Sequence, residues 1–231
     1  MKSKIIITLT LACILVVSVN LNFSNNPVLE MKSQELKNDG YKELWLKVEK
    51  LEADGLPKSA LEIVNEIYKK AREENNHSQV IKALMHQIKF EYDIEENALE
   101  KKIHELEKLS STASFPENAI IHSLLAEIYW MYYNENAWKI HDRTTVKKSD
   151  EKDIKNWDLK HFADKVIEHF HASLKQKEEL KKINRTQFDD ILKTGNLSGK
   201  LRPTLFDFLA HRAFDFFRDT RMNLTKPAEE F

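Results

Sequence analysis

Glycine and proline are scarce in this chain of 231 residues, which has four glycines and five prolines. Both residues interrupt regular helix, glycine through its backbone freedom and proline through its missing N–H donor. Charged residues make up 32% of the chain. This composition excludes collagen-like and low-complexity classes and favours helix throughout. No stretch after residue 24 alternates apolar and polar residues, so no β-sheet is expected.

Cysteine is nearly absent, since Cys13 is the only one. A disulfide framework is therefore excluded. Neither sign of charge is in excess, because 36 basic and 37 acidic residues leave a net charge of −1. Nucleic acid and anionic lipid are not expected as partners. The sequence also has no Gly-rich phosphate loop, G-x-S-x-G or H-E-x-x-H motif, and no cofactor is expected.

The N-terminus has the pattern of a secretory leader. Lys2 and Lys4 precede an apolar run over residues 5–19, which is shorter than the roughly 20 residues of a membrane span. We predict a signal peptide over residues 1–24. Cys13 lies in the middle of the run rather than at its end, so it is interpreted as part of the leader, with a lipid anchor as the alternative. Residues 25–231 are expected to reach the periplasm, outer membrane or surface of a bacterium.

Apolar residues recur at helical spacing through the first half of the mature chain. Helix starts are predicted near residues 41, 57, 78, 95 and 117, with Gly55 ending the first helix and Ser78 capping the third. Taken two at a time, these helices repeat about every 37–39 residues, which is in the range of helical-hairpin repeats. The fifth helix carries two apolar lines and is expected to be central.

The second predicted helix, within residues 55–71, has Ala60 and Ala71 at positions that allow close helix packing, as in tetratricopeptide repeats. The fold prediction is therefore all-α. About eight helices form antiparallel hairpins that are partly tetratricopeptide-like and solenoid-like, in a single helical domain over residues 25–231.

Residues 134–157 lose the helical period, which predicts a loop or a sub-boundary of the domain. Trp138 and Trp157 would hold such a loop against the core. A long helix is predicted over residues 158–183, and Thr186 is expected to cap a short helix after it.

Residues 202–217 read R-P-T-L-F-D-F-L-A-H-R-A-F-D-F-F. Thr204 is a typical N-cap, with Asp207 in the first turn. On a helical wheel two apolar faces appear, made of Leu205, Phe208, Leu209 and Phe216 on one side and Phe206, Ala210, Ala213 and Phe217 on the other. A helix that is apolar on two sides requires protein on both. We therefore expect Phe206 and Phe217, together with Trp138, to form binding surface.

The same string and three others resemble one protein family. The strings are L-P-K-S-A-L-E-I-V-N-E-I-Y-K-K-A (56–71), V-I-K-A-L (80–84), N-A-W-K-I-H-D-R-T (136–144) and residues 202–217. Together they resemble the N-terminal helical region of Bacteroidetes alpha-2-macroglobulin proteins, over about residues 40–228. The resemblance implies a segment that precedes protease-trapping β-sandwich domains. The thioester motif of that family is absent here, so no trapping residue carries over.

Catalytic and metal-binding arrangements are the competing interpretation. Asp207, His211 and Asp215 recur at i, i+4 and i+8, which would orient a histidine base, although no nucleophile motif accompanies them. A stripe of salt-linked surface residues is favoured.

Two E-x-x-H pairs, Glu168–His171 and Glu74–His77, have the spacing used by di-iron bundles. Such a site needs two pairs on facing helices and two further inward glutamates, which the pattern does not supply. No metal is therefore expected.

The function predicted from the sequence is a non-catalytic helical interaction module of an exported alpha-2-macroglobulin-like protein. Its partner would be adjacent macroglobulin domains, in a polypeptide continuing past Phe231, or an envelope protein. The alternatives are a stand-alone tetratricopeptide-like scaffold of the envelope and a helical metal-binding or hydrolytic bundle.

Overall fold

A computed structural model describes residues 27–141, 153–189, 191 and 202–218. The predicted signal peptide and Cys13 lie outside these residues. The chain divides into two units, Met1–Asn38 and Asp39–Phe231. In the first unit the described residues, 27–38, are helical.

The described residues are all-helical, with eight α-helices and no strand, which confirms the predicted fold class and the approximate number of helices. The helices are α1 (Pro27–Ala53), α2 (Pro57–Glu73), α3 (His77–Ile94), α4 (Ala98–Thr112), α5 (Glu117–His141), α6 (Leu159–Ser173), α7 (Lys177–Leu180) and α8 (Leu205–Phe217). Two short 3₁₀ turns lie at Ile154–Asn156 and Arg185–Phe188. Among these described helices, none combines the length and apolarity needed to cross a bilayer.

Each of the first two helices is followed by a residue with a left-handed backbone conformation. Gly55 has a φ of 70° and Asn75 a φ of 53°, and both lie at chain reversals. The prediction that Ser78 caps α3 is wrong, because Asn76 is the cap and accepts the backbone N–H of Gln79 at 3.3 Å. The Ser78 hydroxyl instead donates to the Asn76 side chain, since it already lies inside the first turn.

A first apolar cluster joins α1, α2 and α3. Its buried members are Tyr41, Trp45, Val48, Ala60, Val64, Ile67, Ala71, Val80, Ala83 and Phe90. Ala60 and Ala71 are fully buried, which lets α2 and α3 approach closely. Within this cluster the Trp45 indole donates to the Gln79 amide oxygen at 2.7 Å, so the polar atoms that the cluster buries are paired.

Helix α3 belongs to two cores at once. Val80 and Phe90 point into the first cluster, while Ile81 and Leu84 point into a second, larger one. The second cluster continues through α4, α5, α6 and α8. Because both sides of α3 are covered, its sequence is apolar on more than one face.

Helix α5 lies at the centre of the larger cluster, as its two apolar lines predict. It packs against α4, α6 and α8, and residues such as Leu125 and Ala126 are fully buried. The prediction of a loop over 134–157 is wrong for residues 134–141, which continue α5. The amides of Asn134 and Asn136 donate to carbonyls one turn back, so these polar residues remain compatible with helix. Residues 142–152 lie outside the described part.

The segment predicted as one helix over 158–183 is divided. Helix α6 ends at Ser173, whose hydroxyl donates to the Phe170 carbonyl at 2.7 Å, and α7 begins at Lys177. The bend brings Leu180 into the core, where it is fully buried. The prediction for Thr186 is also wrong, because Asn184 caps the following 3₁₀ turn and accepts the Thr186 N–H.

Candidate functional site

Helix α8 begins with the cap that its sequence predicts. The Thr204 hydroxyl accepts the Asp207 N–H, and the Asp207 carboxylate accepts the Thr204 N–H at 3.0 Å, which forms a complete capping box. One predicted apolar face is buried as expected, with Leu205 and Leu209 fully covered. The cap therefore fixes the start of α8, and the burial of Leu205 and Leu209 orients the helix against the core.

The second predicted face of α8 is divided by the structure. Ala213 is buried, and Phe206 is half-buried beneath the ammonium groups of Lys177 and Lys181, each 5.7 Å from its ring centre. Phe217 is 53% exposed, beside Phe214 at 56%. We call Phe214 and Phe217 the α8 ridge.

Phe214 was missed by the sequence analysis because it falls on neither predicted face. Its spacing of three residues from Phe217 is the available signal. Trp138, the third predicted surface residue, is 67% exposed near the end of α5, where the Lys139 ammonium lies 5.1 Å from its ring. The prediction that Trp138 holds a loop against the core is therefore wrong, because residue 138 lies on a helix with its side chain outward. Phe217 and Trp138 are therefore accessible in the described chain, whereas Phe206 is largely covered.

The polar stripe of α8 does not assemble an oriented base. Asp207 is engaged by Thr204, and the ring of His211 meets that of Phe214 edge-on, 6.4 Å away. Arg212, on the same helix, instead donates to the Ser123 hydroxyl at 3.0 Å and pairs with Glu127. These contacts attach α8 to α5, which is a structural role.

The two E-x-x-H pairs lie apart in different surroundings. Glu168 pairs with Lys165 at 2.9 Å, and both Glu168 and His171 are exposed. His77 turns away from Glu74 and contacts the Glu117 carboxylate at 2.7 Å. Within the part of the chain that the structure describes, no three His, Cys, Asp or Glu side chains are grouped as a metal would require.

Glu117 is a buried carboxylate, with 3% of its side chain exposed. It joins Arg72 at 2.5 Å and His77 at 2.7 Å, so the beginning of α5 is tied to the turn between α2 and α3. A buried charge requires such partners.

A chain of hydrogen bonds joins α4, α5 and α6 inside the larger core. Glu107 accepts the Tyr129 hydroxyl at 2.7 Å and contacts His169 Nε2 at 3.0 Å. The other ring nitrogen of His169, Nδ1, lies 3.0 Å from Nδ1 of His122. The Trp157 ring stacks on Tyr129 with centroids 5.6 Å apart, so the predicted burial of Trp157 is confirmed.

Hydrogen bonding and burial shift the pKa values of three of these side chains, Glu107, His122 and Tyr129. The His169 hydrogen bond lowers the pKa of Glu107 from 4.5 to about 2, and the Tyr129 hydroxyl adds to the effect. Burial lowers the pKa of His122, and the neighbouring His169 lowers it further. Burial and the bond to Glu107 raise the pKa of Tyr129. The sequence analysis missed this group because its members are far apart in sequence and share no spacing motif.

A cleft of about 550 Å³ opens between the end of α3, the start of α4, the last turns of α5 and the 3₁₀ turn at residues 154–156. This volume is in the range of ligand-binding clefts. Apolar side chains of Leu99, Ile140 and Ile154 form its floor. On one side the Tyr92 hydroxyl donates to Glu135 at 2.8 Å, which joins α3 to α5 across the opening. No sequence pattern indicated this cleft, because four separate segments of the chain contribute to its lining.

No family model, curated protein or solved structure matches this chain.

Proposed function

We propose that this chain is a non-catalytic helical interaction module of an exported alpha-2-macroglobulin-like protein. The observation that carries the interaction role is the α8 ridge. Because each phenylalanine is about half exposed, a covering partner would recover about 1–1.5 kcal/mol of burial from each. Phe217 lies against the rings of Phe216 and Phe170, at 5.5 and 6.4 Å, so this part of the ridge is held in place before a partner binds.

The family context is supported by the four strings that resemble macroglobulin proteins. In the described part they fall on α2, α3, the end of α5 and α8, in that order. The proposal includes the signal peptide over residues 1–24 and export to the envelope. The partner is then an adjacent macroglobulin domain or another envelope protein.

A stand-alone envelope scaffold is the second candidate, and the buried Ala60 and Ala71 of α2 favour it, because small residues at these positions are typical of stacked helical hairpins. An antibody against residues 153–189 separates the two candidates on a blot of source cells. A product far larger than 27.2 kDa is expected for the macroglobulin context. A product of about that mass favours the scaffold.

Photo-crosslinking tests the ridge itself. A benzophenone amino acid is placed at position 214 or 217 of the protein in its source cells, with Leu46, which is 55% exposed on α1, as the control site. We expect both ridge positions, and not position 46, to crosslink to one defined polypeptide segment identified by mass spectrometry. Equal or absent crosslinking at all three positions would reject the ridge as the interaction surface.

A further inference from the structure

We infer that the cleft between α3, α4 and α5 binds an extended polypeptide segment that carries a basic side chain. This inference deepens the proposed interaction function and rests on it, but it concerns a surface separate from the α8 ridge.

The walls are cross-linked between elements, so the cleft is preformed. On one side Tyr92 of α3 holds Glu135 of α5. On the other side Glu100 of α4 accepts the Tyr132 hydroxyl at 3.0 Å and pairs with Lys155 at 3.0 Å. A preformed site spares a ligand the cost of ordering the protein.

Three solvent-exposed polar side chains of the cleft make no hydrogen bond or ion pair with another described residue. They are Glu96, Asn97 and Lys139, and the Lys139 ammonium lies over the Trp138 ring. Asn97 is the N-cap of α4, yet its side chain makes no cap hydrogen bond. An unengaged amide offers a donor and an acceptor side by side, which matches the N–H and C=O of a peptide unit.

The charge of the lining indicates which side chain the segment carries. Lys155 offsets Glu100, which leaves the carboxylates of Glu96 and Glu135 against the single ammonium of Lys139. One oxygen of Glu135 accepts from Tyr92, and a carboxylate has a second oxygen that can accept from a ligand. Two carboxylates beside an apolar floor favour a lysine or arginine, whose aliphatic stem covers the floor while its charge reaches the rim.

A carbohydrate is less well matched, because sugar recognition uses accessible aromatic faces. Of the two tyrosines in the lining, Tyr132 is only 7% exposed and Tyr92 is 47% exposed, so a sugar would have one accessible ring rather than a pair. Trp138, the most exposed aromatic residue in the described chain, is not part of the lining.

The test screens the full chain against bead-bound heptapeptides, acetylated and amidated, with lysine, arginine, glutamate or glutamine at the central position and random flanks. A glycan array is screened in parallel. We expect lysine- and arginine-centred peptides to be enriched. The affinity of the best peptide should fall at least tenfold in Glu96→Gln/Glu135→Gln and in Asn97→Ala. Glutamine at position 135 still accepts the Tyr92 hydroxyl, so the wall is retained.

The matched control is Glu62→Gln/Glu66→Gln on the exposed face of α2, which removes the same charge far from the cleft in sequence. The affinity of this control variant for the best peptide should equal that of the unaltered chain. Enrichment of glutamate-centred peptides, binding only to the glycan array, no enrichment, or equal losses in the two double variants would each overturn the inference. None of these outcomes affects the crosslinking test of the α8 ridge.

Discussion

His122 on α5 and His169 on α6 meet through their Nδ1 atoms, 3.0 Å apart. A contact between two ring nitrogens holds one proton, since one nitrogen donates and the other accepts. His169 contacts Glu107 through Nε2, so a neutral His169 that donates there accepts from His122. If both rings carry two protons, the Nδ1 contact cannot persist. The link between α5 and α6 is therefore sensitive to acid.

The first prediction concerns the pH dependence of stability. Because the pKa of His122 is lowered in the folded chain, the unfolded chain binds more protons below pH 6.5, and the free energy of unfolding should fall as the pH drops from 7.5 to 5. Burial also lowers the pKa of His86, which adds to this slope. His122→Gln should reduce the slope but not abolish it. Urea titrations at several pH values measure this, with the exposed His171→Gln as control. If the free energy of unfolding depends on pH equally steeply in His122→Gln and His171→Gln, the assignment of this dependence to His122 is contradicted.

Glu107 should contribute in a lower pH window. Its pKa of about 2 lies below its ordinary value of 4.5, so its stabilisation is complete above 4.5 and is lost as the pH falls towards 2. Glu107→Gln should cost roughly 1–2 kcal/mol at pH 7, a modest value because 35% of the side chain is exposed. The difference in the free energy of unfolding between Glu107→Gln and the unaltered chain should narrow as the pH falls from about 4.5 to about 3. Denaturant unfolding at both pH values tests this, and a constant difference would argue against it.

The α8 ridge should be separable from the core by mutation. Phe214→Ser/Phe217→Ser removes exposed rings and should change the free energy of unfolding by less than about 1 kcal/mol while reducing the binding of a hydrophobic dye. Phe216, which is 8% exposed and packs against Trp130 and Phe170, should behave differently. Phe216→Ala should cost about 3–5 kcal/mol. If Phe214→Ser/Phe217→Ser lowers the free energy of unfolding as much as Phe216→Ala does, the ridge is part of the core.

Removal of the Glu117 carboxylate should loosen the start of α5. Glu117→Ala leaves Arg72 and His77 without their shared partner, at an expected cost of about 2–3 kcal/mol, because both partner side chains remain partly exposed to water. Glu117→Gln, which still accepts hydrogen bonds, should cost less. Thermal unfolding followed by circular dichroism ranks the two variants. An alanine variant as stable as the unaltered chain would refute this role of Glu117.

Local patterns predicted the helices well, because periodic apolar residues and end signals act over a few residues. Gly55 and the Thr204 cap lie where their chemistry predicts. Two errors were local, since Asn76 and Asn184 make the caps that Ser78 and Thr186 were predicted to make. The others arose where tertiary packing decides. Helix α6 ends early because Leu180 must reach the core, and α5 continues through Asn134 because Ile140 is buried beyond it.

The candidate sites were harder to predict than the fold. Phe217 was predicted from the second apolar face of α8 and Trp138 from a segment without helical period, and both are exposed. The bond between His122 and His169 spans 47 residues, and the cleft combines four segments. Spacing within one segment carries no information about such pairs, since their proximity depends on how the helices pack.

The position of α3 between two cores has a consequence for how the chain unfolds. Val80 and Phe90 belong to one cluster, and Ile81 and Leu84 belong to the other, so loss of this helix would expose apolar surface of both clusters. The two clusters should therefore unfold in a single cooperative step. In native-state hydrogen exchange the amides of α3 are then among the slowest, since they open only with the whole structure.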